Sequence, residues 1–142
     1  MANILITGSN RGLGLELVRQ YAGSGWRVFA TCRHPSEAAE LHQLAVMTSH
    51  MGSIADIQMP GSYYYRSSKA ALNAAMSGLA EVLRERRIGV LLLHPGGVKT
   101  RMGPGDGISA EKSVTGLRQV IEDFTLDKTR HFIKYDGSPM PW

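Results

Sequence analysis

A chain of 142 residues with 43% hydrophobic and 20% charged residues is long enough for one globular domain and too apolar to stay disordered. Its formal charge of +4, from 16 basic and 12 acidic residues, is a mild excess spread along the chain, which argues against nucleic acid as a partner. A lone Cys32 excludes an internal disulfide, the Val90–Leu93 run is too short for a bilayer, and no charged-then-apolar leader opens the chain; the cytoplasm is the expected location.

In chain order, Asn3 to Thr7 is a short apolar run ending at glycine and reads as a buried strand. "GSNRGLG" (Gly8 to Gly14) then enters a helix with Leu13, Leu17 and Tyr21 on one face, ended by Gly23 and Gly25. Trp26 to Thr31 is a second strand, and Pro35-Ser36-Glu37 opens a short helix expected to reach about Ala45. Val46 to Ser49 reads as the tail of a strand, followed by a loop with Gly52, Pro60 and Gly61. The longest helix runs from about Ser62 to Arg86, with Leu72, Met76, Leu79 and Leu83 on one face. Its basic end, Arg84-Glu85-Arg86-Arg87, complements the helix dipole as a solvated cap. Ile88 to Pro95 is a strand stopped by Pro95-Gly96-Gly97, Ser109 to Phe124 a helix with Val114, Leu117, Ile121 and Phe124 inward, and His131 to Tyr135 a last strand. Strands alternating with helices predict a single α/β domain over residues 1–142 with a mostly parallel sheet. In such sheets ligands sit beyond the carboxyl ends of the strands, where the polar punctuation of this chain gathers.

Two constellations carry chemistry. In Gly8-Ser9-Asn10-Arg11-Gly12-Leu13-Gly14, a glycine turn between strand and helix lets backbone N–H groups approach a pyrophosphate at the helix N-terminus. At the end of the second strand, where a carboxylate would bind a ribose 2′-hydroxyl, stand Thr31, Cys32 and Arg33; the arginine points to a 2′-phosphate, hence NADP(H) over NAD(H), with Arg11 a second phosphate contact. The other constellation is Tyr63-Tyr64-Tyr65 before Lys69. Residues four apart share a helix face, so Tyr65 lies beside Lys69, whose ammonium lowers a phenol's pKa and makes it a proton donor near neutral pH. Tyr63 and Tyr64 are expected to pack or to edge a pocket. The five histidines show no metal-binding spacing, so no metal is expected, and His94 reads as an ordinary strand-end residue.

The glycine turn, Tyr65-x-x-x-Lys69 and Pro95-Gly96-Gly97-Val98-Lys99-Thr100 occur in the order of the short-chain dehydrogenase/reductase family. "ATCR", "YRSSKAALN", "HPGGVKT" and "YDGSPMPW" resemble its carbonyl-reductase-like branch. The resemblance implies an NADP(H)-dependent reduction of an aldehyde or ketone, with a small-molecule partner, no membrane, and a homo-oligomer allowed. Tyr65 would protonate the carbonyl oxygen and Lys69 would lower its pKa and hold the nicotinamide ribose. Ser49 would hydrogen-bond the substrate carbonyl, with Ser53 the runner-up. Gly8, Gly12 and Gly14 would line the pyrophosphate, and Pro95, Gly96, Val98 and Thr100 would close over the nicotinamide end.

The chain departs from the family between its second strand and Val46. Two strand–helix units are missing there, with an acidic turn, an Asn-Asn-Ala-Gly turn and the helix asparagine of the catalytic tetrad; Asn73 lies beyond Lys69 and does not replace it. At roughly 30 residues per β-α-β unit the deficit is a deletion near residues 45–46, not a trimmed loop. The usual pairing of subunits through the missing helix is incomplete as a result. The expected strand order is second, first, Val46–Ser49, Ile88–Pro95, His131–Tyr135 in one sheet; the alternative sets Val46–Ser49 beside the second strand. Closing the gap would shift the catalytic helix by about 4.8 Å, which makes a catalytically inactive form that binds only nucleotide or a partner the competing expectation.

Overall fold

A computed structural model of the chain describes residues 3–7, 12–31, 43–101 and 105–142. Strand β1 (Asn3–Thr7) leads to helix α1 (Gly12–Gly23) and strand β2 (Arg27–Thr31). Strand β3 (Gln43–Met47), helix α2 (Tyr63–Arg84), strand β4 (Gly89–His94), helix α3 (Ala110–Glu122) and strand β5 (Phe132–Lys134) follow. The expected helix after Pro35 falls mostly on residues 32–42, outside the described ones, but its last residues, Gln43 to Ala45, are strand instead. In-register pairing with β4 decides this: Gln43 to Met47 run beside Gly89 to Leu93, and a ladder along a buried strand outweighs weak local helix preference.

Every strand pair among the described residues is parallel, and the architecture is a shortened Rossmann-like α/β fold. Strand β4 is buried along its whole length, and its two faces feed two cores. Leu91 and Leu93 pack with Val114, Leu117 and Ile121 of α3 and with Ile6, Leu17 and Tyr21 of the first β-α unit. Val90 and Leu92 pack on the other side with Ala80 of α2 and Phe132, flanked by Met76 and Leu83. Period-two alternation along one buried strand thus separates the α1–α3 layer from the α2 layer. Leu17, Tyr21, Val114, Leu117 and Ile121, all expected inward, are buried.

The single sheet expected from the sequence is replaced by two. One is β1–β2, the other β3–β4–β5, and β3 is hydrogen-bonded to neither β1 nor β2. The halves are joined through helices instead: Arg118 of α3 donates to the Gln20 carbonyl at the end of α1 and to Ser24 Oγ, and its guanidinium lies 4.7 Å from the Tyr21 ring centroid. With Ile6, Leu17 and Tyr21 packed against Leu91, Leu93 and the inner face of α3, the two sheets meet through side chains and not through a strand ladder. On the far side, the edge of β5 is covered by the tail, where Lys134 N–H donates to the Ser138 carbonyl and Met140 N–H to that of Phe132.

Candidate active site

Strand β3 ends at Met47, and the next residues turn at once into the first residues of interest. Ser49 caps a single 3-10 turn, His50–Gly52, with its Oγ accepting from Met51 N–H at 3.2 Å. Ser49 is 6% exposed and its hydroxyl keeps one hydrogen to donate. Ser53, the runner-up, is fully buried and its Oγ accepts from Asp56 N–H, which closes the next turn. Helix α2 starts after two left-handed residues, Gly61 (φ 102°) and Ser62 (φ 53°), and Arg66 ties the entry down by donating to the carbonyls of Gly61 and Met59.

On α2 the four-residue spacing holds: the Lys69 ammonium lies 5.8 Å from the Tyr65 ring centroid and donates a long hydrogen bond, 3.4 Å, to the Met47 carbonyl. Tyr65 is 39% exposed, so its phenol stands at the surface of the site. Tyr63 and Tyr64 do not pack as expected; at 70% and 96% exposed they project from the first turn of α2, one and two residues off the Tyr65 face. The turn and the helix meet at Gly52, where a Cβ would lie 2.9 Å from the Lys69 backbone carbon and 2.9 Å from Asn73 Nδ2.

Strand β4 delivers the Pro95–Thr100 loop to the same end of the sheet. The Pro95 carbonyl accepts from Ser113 Oγ of α3 at 2.7 Å, and Gly96 takes φ 81° with no room for a Cβ, which would stand 2.9 Å from the Tyr135 ring. Val98 is buried and bridges Ile108, with Lys99 N–H donating to the Ile108 carbonyl and Ile108 N–H to that of Gly97. His94 is not an ordinary strand-end residue: it is buried, its Nδ1 has no hydrogen-bond partner, and its ring lies 4.9 Å from that of His50. Burial first, then His50 and Lys134, push its pKa down to about 4, against a smaller opposing pull from Asp136.

Of the glycine turn, Gly8, Ser9, Asn10 and Arg11 lie outside the described residues, as does Arg33. Gly12 opens α1 in a left-handed conformation (φ 55°), with open space where a Cβ would be and no acidic side chain in the first turn. Leu13 and Gly14 follow inside the helix. A bare helix N-terminus free of carboxylates fits a pyrophosphate. Among the described residues no cluster of three His, Cys, Asp or Glu side chains could hold a metal. Asn73 and Thr48, to which the sequence assigned no role in the site, prove to be buried polar partners of the Ser49 turn. The signal for Asn73 was its place on the Tyr65–Lys69 face, four residues beyond Lys69.

Parallel strands, a glycine-opened first helix and a Tyr–Lys helix beside a serine turn define a Rossmann-type α/β architecture. The family model for short chain dehydrogenase matches residues 45–107, beginning at the expected junction. The chain is 41% identical over 103 residues to "C-signal" of Myxococcus xanthus, across 72% of this chain and 62% of that one. It is 34% identical over 105 residues to 1-hydroxy-2-glutathionyl-2-methyl-3-butene dehydrogenase of a Rhodococcus strain, across 70% and 46%. The NADPH-bound carbonyl reductase from chicken fatty liver superposes with a TM-score of 0.82 at 19% identity, covering 99% of this chain and 98% of the other. The chain belongs to the short-chain dehydrogenase/reductase family. It spans 62% and 46% of the lengths of the two curated relatives.

Proposed function

We propose that the protein is a cytoplasmic NADP(H)-dependent reductase that converts an aldehyde or ketone to an alcohol. The observation that supports this reading is the contact of the Ser49 turn with α2 at Gly52, beside Lys69 on the face that also bears Tyr65. In this reading Ser49 donates its hydroxyl hydrogen to the substrate carbonyl, and Tyr65 gives up its phenolic proton to the oxygen as charge develops there. Lys69, with its ammonium 5.8 Å from the Tyr65 ring centroid and braced on the Met47 carbonyl, sets a cation beside the phenol where it also meets the substrate. Gly8 to Gly14 would hold the pyrophosphate, Arg33 the 2′-phosphate, Lys69 the nicotinamide ribose, and Pro95, Gly96, Val98 and Thr100 the nicotinamide end. When bound, the dinucleotide supplies the hydride. The NADPH- and NADP-bound carbonyl reductases of like fold support the choice of cofactor.

The test is NADPH consumption with a simple aromatic aldehyde. The wild-type chain is expected to turn over and Tyr65→Phe to lose that turnover by about a hundredfold or more; turnover that survives Tyr65→Phe removes Tyr65 from the mechanism. A second reading, a shortened form that acts by binding a partner, draws on the relative named as a signal and on the exposed Ile54, Ile57 and Met59 beside α2. It expects no turnover and weak NADPH binding, which fluorescence titration of the nucleotide separates from the first.

A further inference from the structure

Asn73 is 2% exposed, has no place in the proton transfer just described, and still spends both ends of its amide on the Ser49 turn. Its Oδ1 accepts from Thr48 Oγ1 at 2.6 Å and its Nδ2 donates to the Gly52 carbonyl at 3.3 Å. Thr48 immediately precedes Ser49, and Gly52 closes the turn that Ser49 caps, so the one amide grips the turn on both sides of the serine. Thr48 is itself 3% exposed, and its N–H is fixed to the Leu93 carbonyl of β4. The amide therefore also ties α2 to the end of the sheet. The fit has no slack, since a Cβ at Gly52 would stand 2.9 Å from Asn73 Nδ2.

We infer that Asn73 is the positioning residue of the site: it sets Ser49 on the β3 side against Tyr65 and Lys69 on α2. The inference rests on the reductase reading for its kinetic consequence but not for its structural one. Both hydrogen bonds are buried, so a variant that cannot make them leaves the Thr48 hydroxyl and the Gly52 carbonyl unpaired rather than hydrated. The turn then relaxes, and a displacement of Ser49 by about 1 Å costs roughly a hundredfold in rate, whereas the substitution changes none of the residues proposed to hold the dinucleotide.

The experiment compares Asn73→Ala, Thr48→Val and the double variant with the wild-type chain, reading kcat and KM with NADPH and the amide exchange of Gly52 and Ser53. Asn73→Ala is expected to lower kcat by about tenfold to a hundredfold with KM for NADPH within about twofold. The Gly52 and Ser53 amides should exchange at least about tenfold faster while those of β4 do not change. Thr48→Val should fall between, and the double variant should be no slower than Asn73→Ala, because both changes break one clamp. Wild-type exchange at Gly52 and Ser53 in Asn73→Ala, or a kcat loss matched by an equal loss of NADPH affinity, overturns the inference. If Asn73→Ala does not fold, Thr48→Val decides in the same way. A wild-type chain without turnover would sink the reductase reading, and the exchange arm would still decide the role of Asn73.

Discussion

His94 is the residue whose surroundings differ most from what its position in the sequence implies. Its imidazole is held neutral first by burial and then by the electrostatic influence of His50 and Lys134, with a folded pKa of about 4 against an ordinary 6.5. An unfolded chain therefore binds a proton that the folded one refuses between those values. Stability from this residue is full above about pH 6.5 and is lost as pH falls towards 4, by as much as about 3 kcal/mol. Thermal melts across pH 4–7 should show the midpoint falling over that window, and His94→Asn should flatten the slope. Gly116 gives a second residue-scale test. A Cβ there would lie 2.3 Å from the Tyr135 carbonyl oxygen, which is backbone and cannot swing away. Alanine gains about 1 kcal/mol of helix propensity but forces α3 off β5, so Gly116→Ala should destabilise by about 1–3 kcal/mol net in a denaturant titration.

At the scale of elements, α3 is the joint of the molecule. Ser109 caps its N-terminus by accepting from Lys112 N–H, its inner face fills the main core, and Arg118 on its flank reaches α1. The same guanidinium pairs with Glu122 and lies against Tyr21, whose buried, unpartnered hydroxyl has its pKa pushed up to about 12 by burial and then by Glu122. Removing Arg118 takes away the polar link from α3 to α1 without touching β3–β5. Arg118→Ala should accelerate amide exchange through α1 and β2 by about tenfold or more and leave β4 protected; equal acceleration in both would show that α3 is not the joint. The element boundaries were largely legible beforehand, because α2 and α3 carry long period-3.6 patterns. The misread element was the start of β3, where Gln43 to Ala45 take their conformation from β4 and not from their own composition.

At the scale of the whole molecule, the division of the sheet carries a thermodynamic consequence. The β1–α1–β2 unit and the β3–β5 unit share one core and a helix contact but no strand ladder, so their unfolding need not coincide. The two tryptophans report on one half each: Trp26 packs edge-on against Tyr21 at 4.9 Å, and Trp142 lies 5.9 Å from Phe132. Fluorescence of Trp142→Phe, which keeps Trp26, should be lost at lower denaturant than that of Trp26→Phe; superimposable transitions would mean the halves fold as one unit. No described strand covers the open edge of β3, an arrangement that favours association between chains at high concentration.

The residue types and their spacing were enough to determine the α/β class and the Tyr65–Lys69 face, while the family resemblance singled out Ser49 and located the break in the chain. Each of these is local: helix periodicity, a glycine before a helix, a motif within a few turns. Only the tertiary structure decided how the break is borne, since whether β1 pairs with β3 depends on helices α1 and α3 that lie far apart in sequence and meet across the core. It also decided that Asn73 holds the Ser49 turn, because a buried hydrogen bond between residues 48 and 73 depends on how the end of β3 meets α2 once the chain has folded.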